Sequence, residues 1–149
     1  MLIALLALVG ALVALYLTLY KVGVIGELVC QLGSCERVNS SQWAIFLGAP
    51  VAAWGLGMYA VLLCLAVAWM NDAAPQRVGT AIVALSGWGV LFSAWLTSKE
   101  LFVIHAICMW CVTSATIVTL IFIASVIELR RVVRTGGASS PEAARRSLV

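Results

Sequence analysis

A chain of 149 residues that is 64% hydrophobic and only 10% charged, with a mean hydropathy of +1.11, falls outside the range of water-soluble domains. Nine Lys and Arg with six Asp and Glu are too few to coat a globule of this size, which excludes a soluble enzyme, a free nucleic-acid binder and a disordered tail. The net charge of +3 says little further, because most of the excess gathers near the C-terminus.

The first apolar run, 1–20, has no basic leader and no small-x-small cleavage site, so it reads as a span rather than a secretory signal. A helix needs about 20 apolar residues to cross ~30 Å of hydrocarbon. On that measure the spans are 2–20, 50–70, 78–98 and 107–127. The run that contains the second span is too long for one helix. Asn39, Ser40 or Ser41 can cap a short interfacial helix over 41–47, Gly48 can end it, and Pro50 can start the next span. The alternative is a second spanning helix that begins early. Trp43 and Phe46 would anchor the 41–47 segment at headgroup depth or cover the mouth of a pocket. Ala53-x-x-x-Gly57 and Gly89-x-x-x-Ser93 supply small residues for close helix contact. The fold class is therefore all-α integral membrane, a four-helix bundle in one domain, 1–134. Residues 135–149 form a flexible cytoplasmic tail.

With four spans both termini share a side, and the distribution of Lys and Arg decides which. Arg77, Arg130, Arg131, Arg134, Arg145 and Arg146 lie on one side and Lys21, Arg37 and Lys99 on the other. This places both termini in the cytoplasm, with the loop 21–49 and the start of the fourth span on the oxidising side. The tail arginines set topology and meet lipid rather than nucleic acid.

Four of the five cysteines fall on that outer side. Cys30 and Cys35 flank a segment in which Gly33 and Ser34 can supply a turn. Cys108 and Cys111 open the fourth helix, where an i, i+3 spacing puts both sulfurs on one face. Unpaired amides and the helix dipole stabilise a thiolate there, and Cys108 feels that field most. Cys111, one turn deeper, can meet a lipid-soluble electron acceptor. Two pairs at two depths suggest a relay. Two structural disulfides or a four-cysteine zinc site are the other readings, although neither accounts for a pair inside a helix at the membrane surface. Cys64, in mid-span, reads as a packing residue. His105, one turn before Cys108, reads either as an interfacial histidine or as an aid to proton transfer.

The chain resembles the vitamin K epoxide reductase family, and its bacterial homologues in particular. The resemblance rests on Cys30 with Cys35-Glu-Arg-Val-Asn-Ser-Ser41, on Gly48-Ala-Pro50-Val-Ala-Ala-Trp-Gly55-Leu-Gly-Met-Tyr59, and on Cys108-x-x-Cys111. It implies a four-helix bundle around a quinone (ubiquinone or menaquinone) that makes disulfides. Cys30 and Cys35 would take electrons from an extracytoplasmic thioredoxin-like, DsbA-like partner, and Cys35 would exchange with Cys108. Cys111 would then reduce the quinone, with Ser41 close to the reaction centre and Ser41, Cys111 and Phe46 against the ring. No metal is implied. The animal branch has a tyrosine and an asparagine where this chain has Ala115 and Val51, which weighs against vitamin K epoxide as substrate. Some bacterial members carry a fused thioredoxin-like domain; here the partner is expected to be a separate protein.

Two other functions compete with this reading. A DsbB-type disulfide oxidase runs the same chemistry, but it usually places its Cys-x-x-Cys in the first outer loop rather than at the start of the last span. A non-enzymatic membrane protein stapled by two disulfides would instead show charges or broken helices inside its spans.

Overall fold

The computed structural model describes residues 1–26, 29, 35–71 and 75–138. Four helices are long and apolar enough to cross a membrane: α1 (Leu2–Lys21), α3 (Val51–Met70), α4 (Pro75–Lys99) and α5 (Met109–Ala138). A short helix, α2 (Cys35–Ser40), lies between the first two spans. Each long helix is apolar on nearly every face, the pattern of a segment solvated by lipid. Their few hydroxyls are turned inward on the backbone. Thr18, Ser86, Thr113, Thr116 and Thr119 each donate to the carbonyl one turn back, at 2.6–2.9 Å. No polar group need then face hydrocarbon unpaired.

In the bundle α1 packs against α3 and α5, and α4 packs against α5 and α3, closing a ring of four. Tyr59, Leu62, Ile82, Val118 and Ile121 fill its centre, fully buried. The bundle closes because small residues sit where helices press together. A Cβ at Gly10 would overlap the Tyr59 ring, and one at Gly89 would stand 2.8 Å from Val118 Cγ2 and 2.9 Å from Met58 Sδ. Gly57 has nothing within 4 Å, so of the two glycines singled out in the sequence it is Gly89 that stands against a neighbouring helix. At the opposite end from α2, a Cβ at Gly79 would lie 3.1 Å from Leu129 and 3.2 Å from Trp69, so the ends of three spans meet there. Leu8, Leu12, Trp88 and Leu91 face outward, as lipid-facing residues should.

Three boundaries differ from those expected. The short helix occupies 35–40 rather than 41–47, which instead holds one 3-10 turn (Gln42–Ala44) and the start of a small hairpin, β1 (Ile45–Phe46) with β2 (Ala49–Pro50). Leu47 and Gly48 both have positive φ (52° and 80°), the requirement of a two-residue hairpin turn, so Gly48 serves the hairpin rather than ending a helix. The third span does not stop at 98. It runs on through a π-helical turn, Glu100–Ile104, and reverses at His105, whose φ is 51°. The fourth span starts at Met109, which leaves Cys108 just outside it. Cys64 is a free, exposed thiol on the outer face of α3 rather than a packed core residue.

Candidate functional site

Cys108 occupies the position before the first helical residue of α5. Its carbonyl accepts the first helical hydrogen bond, from Val112 N–H at 3.1 Å, and its side chain is fully buried. The Cys111 thiol, one turn on, donates to the Cys108 sulfur. That bond, with the backbone N–H groups of Cys111 and Trp110, lowers the Cys108 pKa to about 7 against the opposing effects of burial and Glu100. The cause anticipated from the sequence, free amides at a helix start, therefore acts beside a stronger one, the neighbouring thiol.

Cys35 opens α2 and is disulfide-bonded, whereas Cys108, Cys111 and Cys64 are free. Cys30, the other cysteine of the loop, lies outside the described residues, as do Gly33 and Ser34. Cys35 and Cys108 belong to one buried cluster with Val38 and Ala106. Asn39 ties the two sides together, since its amide donates to the Cys35 carbonyl at 3.1 Å and points at the Cys108 sulfur at 3.9 Å. Asn39 is held in turn by Lys21, whose ammonium donates to the Asn39 backbone carbonyl at 2.6 Å. The loop is also pinned at Val29. Its N–H donates to Tyr16 Oη and its carbonyl accepts from Trp110 Nε1, both at 3.0 Å, and the two rings lie 5.1 Å apart.

On the inner side of the cysteine pair opens a cavity of about 560 Å³, within the range of small-molecule sites. Cys111 and Ser114 line one wall and Trp54, Met58 and Tyr59 another, while Ser41, Trp43 and Phe46 lie at its outer end. Aromatic rings frame that end: Phe46 meets Phe92 edge-on at 5.9 Å, Phe92 stacks on Trp95 at 5.8 Å, and Lys99 lies over Trp43 at 5.0 Å. The hairpin is latched by Trp54 Nε1, which donates to the Phe46 carbonyl at 3.0 Å. Cys111, Ser41 and Phe46 thus share one cavity. The Ser41 hydroxyl donates its hydrogen to the Val38 carbonyl at 2.7 Å. Ala115 and Val51 also lie on the cavity wall, so the two positions that depart from the animal pattern are apolar wall residues here.

Glu100 is the feature that sequence reading missed. Its charge, beside that of Lys99, reads as the chain leaving the membrane. Yet Glu100 is only 4% exposed, accepts a hydrogen bond from Cys108 N–H at 3.3 Å, and meets the Cys111 thiol. His105, the acid–base group considered from sequence, is exposed on the reversing turn. Asn39 was read only as a possible cap. The available signal was its place four residues after Cys35, one helical turn along the same face. For Tyr59, which donates to the Ser114 carbonyl at 2.8 Å, the chain pattern carries no such signal.

The sequence profile of the Vitamin K epoxide reductase family matches residues 1–126, from the first span almost to the end of the last. That match takes in the four-span bundle, Cys35 and the buried Cys108 with Cys111, and so this chain belongs to the vitamin K epoxide reductase family, as an integral membrane redox protein.

Proposed function

We propose that the protein is a quinone-linked thiol oxidoreductase that generates disulfides on the outer face of the membrane. The observation that carries this reading is the placement of Cys108 between two partners. On one side it shares a buried cluster with disulfide-bonded Cys35, and on the other it is hydrogen-bonded to the free thiol of Cys111 on the wall of an apolar cavity. The cavity suits a quinone ring, which is flat and apolar apart from two carbonyl oxygens: its lining is mostly hydrophobic and aromatic, with polar side chains that include Asn39, Ser41, Ser114, Lys99 and Glu100. A quinone bound there would supply a two-electron, two-proton acceptor.

The residues divide the work by depth. Cys30 and Cys35 exchange with an extracytoplasmic thioredoxin-like dithiol, whose oxidation to a disulfide is the useful product. The Cys35 thiolate then attacks Cys108 of the oxidised inner pair and frees Cys111. Attack is directed at Cys108 by proximity, since Cys35 and Cys108 share the buried cluster and Asn39 reaches both; the low pKa of Cys108 then makes it the better leaving group when Cys30 resolves the Cys35–Cys108 bond. Asn39 holds Cys35 and Cys108 in register, and the rings of Phe46 and Phe92 give the end of the cavity an apolar wall. Apolar Val51 and Ala115 on the wall support a plain quinone over vitamin K epoxide.

The test mixes the purified full chain with a reduced thioredoxin-like dithiol and a soluble quinone and follows quinone absorbance. Reduction that depends on all four relay cysteines, but not on Cys64, is expected. With Cys30 and Cys111 replaced by Ser, the protein should trap a Cys35–Cys108 disulfide, visible by peptide mapping. Quinone reduction that survives Cys111→Ser would defeat the reading.

A further inference from the structure

Closing a disulfide between Cys108 and Cys111 requires the Cys111 thiol to give up its proton inside a bundle that offers little water. The described residues around that thiol include one carboxyl group. Glu100 comes from the π-helical turn at the end of α4, where its own carbonyl accepts Ala106 N–H at 3.1 Å and fixes the turn. Its side chain is 4% exposed, bonded to Cys108 N–H, in contact with the Cys111 thiol, and on the cavity wall. A buried carboxyl is costly without a strong partner. Among the described residues no Lys or Arg forms an ion pair with it: Lys21 is engaged with the Asn39 carbonyl, and Lys99 lies over the Trp43 and Trp95 rings. A carboxyl group left free of a fixed cation, touching a reacting sulfur and opening on the acceptor's cavity, has the geometry required of a general base. His105 lacks that geometry because it is exposed on the turn.

We propose that Glu100 is a catalytic proton-transfer residue, its carboxylate taking the proton from the Cys111 thiol as the Cys108–Cys111 disulfide closes and releasing it into the cavity. The step rests on the oxidoreductase function proposed above. Counted from the dithiol, two S–H bonds break and one S–S bond forms. Two electrons and two protons pass to the quinone, which leaves as the hydroquinone, and Glu100 ends the cycle as the carboxylate it began.

Glu100→Gln separates proton transfer from structure, since the amide oxygen can still accept Cys108 N–H but cannot take up a proton. Glu100→Asp keeps the carboxylate with a shorter reach. Two arms are read in full-length protein. In the first, pre-reduced protein is mixed with a soluble quinone. In the second, the Cys30→Ser/Cys35→Ser background is oxidised with diamide, which accepts two electrons and two protons without any quinone, and closure of the inner disulfide is followed by quenching and mass analysis. Glu100→Gln is expected to slow both arms about a hundredfold, at the lower end of general-base effects. Glu100→Asp should fall between it and the parent. Dithiol exchange with the loop pair and the thermal unfolding midpoint should stay at the parental values. Ring closure in Glu100→Gln as fast as in the parent would overturn the proposal. So would equal losses in Gln and Asp accompanied by a lowered unfolding midpoint, because Glu100 would then serve only to hold the turn. A parent that closes the ring with diamide faster than Glu100→Gln, yet reduces no quinone, would leave the proton role standing and remove the quinone.

Discussion

Cys108 shows how little chain is needed to make a reactive sulfur. The residue itself is ordinary, and its neighbours Trp110 and Cys111 supply two backbone amides and one thiol hydrogen that favour the thiolate. Thiolate is the attacking form, so in reduced protein the reaction of Cys108 with an added disulfide reagent should fall as pH drops below about 7 and level off above it. Thiolate ultraviolet absorbance in a variant that retains only Cys108 and Cys111 should half-titrate near that pH. In Cys111→Ala, which removes the largest cause, the titration should move upward; an unmoved titration would assign the effect to the helix amides alone. Ser41 is a contrasting case, because its hydroxyl hydrogen is already given to the Val38 carbonyl. Turning it toward a quinone oxygen would exchange one hydrogen bond for another, each worth ~1 kcal/mol net. Ser41→Ala is therefore expected to slow quinone reduction only about fivefold to tenfold, well short of the ~10²–10³ typical of a preorganised oxyanion donor. A hundredfold loss confined to the quinone step would show that Ser41 re-aims on binding and acts as a principal donor.

Among the elements, α2 and the start of α5 meet by more than apolar contact. The loop between α1 and α2 is fastened at Val29 by Tyr16 from one helix and Trp110 from another, so the middle of the Cys-x-x-Cys also holds the segment leading to the outer pair. Trp110→Phe keeps an aromatic ring against Tyr16 but loses the indole N–H. The outer-to-inner exchange should slow several-fold, on the scale of one lost hydrogen bond of ~1 kcal/mol, while quinone reduction by a chemically reduced inner pair stays unchanged. Stopped-flow measurement of the two half-reactions checks this, and equal slowing of both would mean that the substitution disturbed α5 itself.

For the whole molecule, the cations divide between the two ends of the bundle. Lys21, Arg37 and Lys99 lie at the end that carries α2 and the cysteine cluster, while Arg77, Arg130, Arg131 and Arg134 lie at the end where Gly79, Leu129 and Trp69 come together. On the positive-inside rule the arginine-rich end is expected in the cytoplasm. A membrane-impermeant thiol reagent applied to intact cells should label a cysteine introduced at exposed Glu36 on α2 and spare one introduced at Ser147 in the C-terminal tail. The reverse pattern would invert the bundle and with it the compartment proposed for the dithiol partner.

The four apolar spans were legible in the sequence, and so was the placing of Cys108 and Cys111 together at the start of the last one. Hydrophobic length, charge placement and i, i+3 spacing are local properties that a membrane enforces residue by residue. The short helix was legible as a need but not in position, because Asn39, Ser40 and Ser41 can each begin a helix or end one. The two-residue turn at Leu47–Gly48 selects a hairpin for the stretch that follows. What only the tertiary structure decided was the role of polar residues inside the apolar frame. Glu100 reads as an exit from the bilayer until Cys108 N–H and the Cys111 thiol are brought to its carboxyl across a π-helical turn. Gly57 reads as a packing contact until it is found beside open space. A charge or a small residue in a span carries no local instruction about its partner. The partner comes from another helix, and helix contacts between apolar surfaces in lipid are set by shape over the whole bundle rather than by any one stretch of chain.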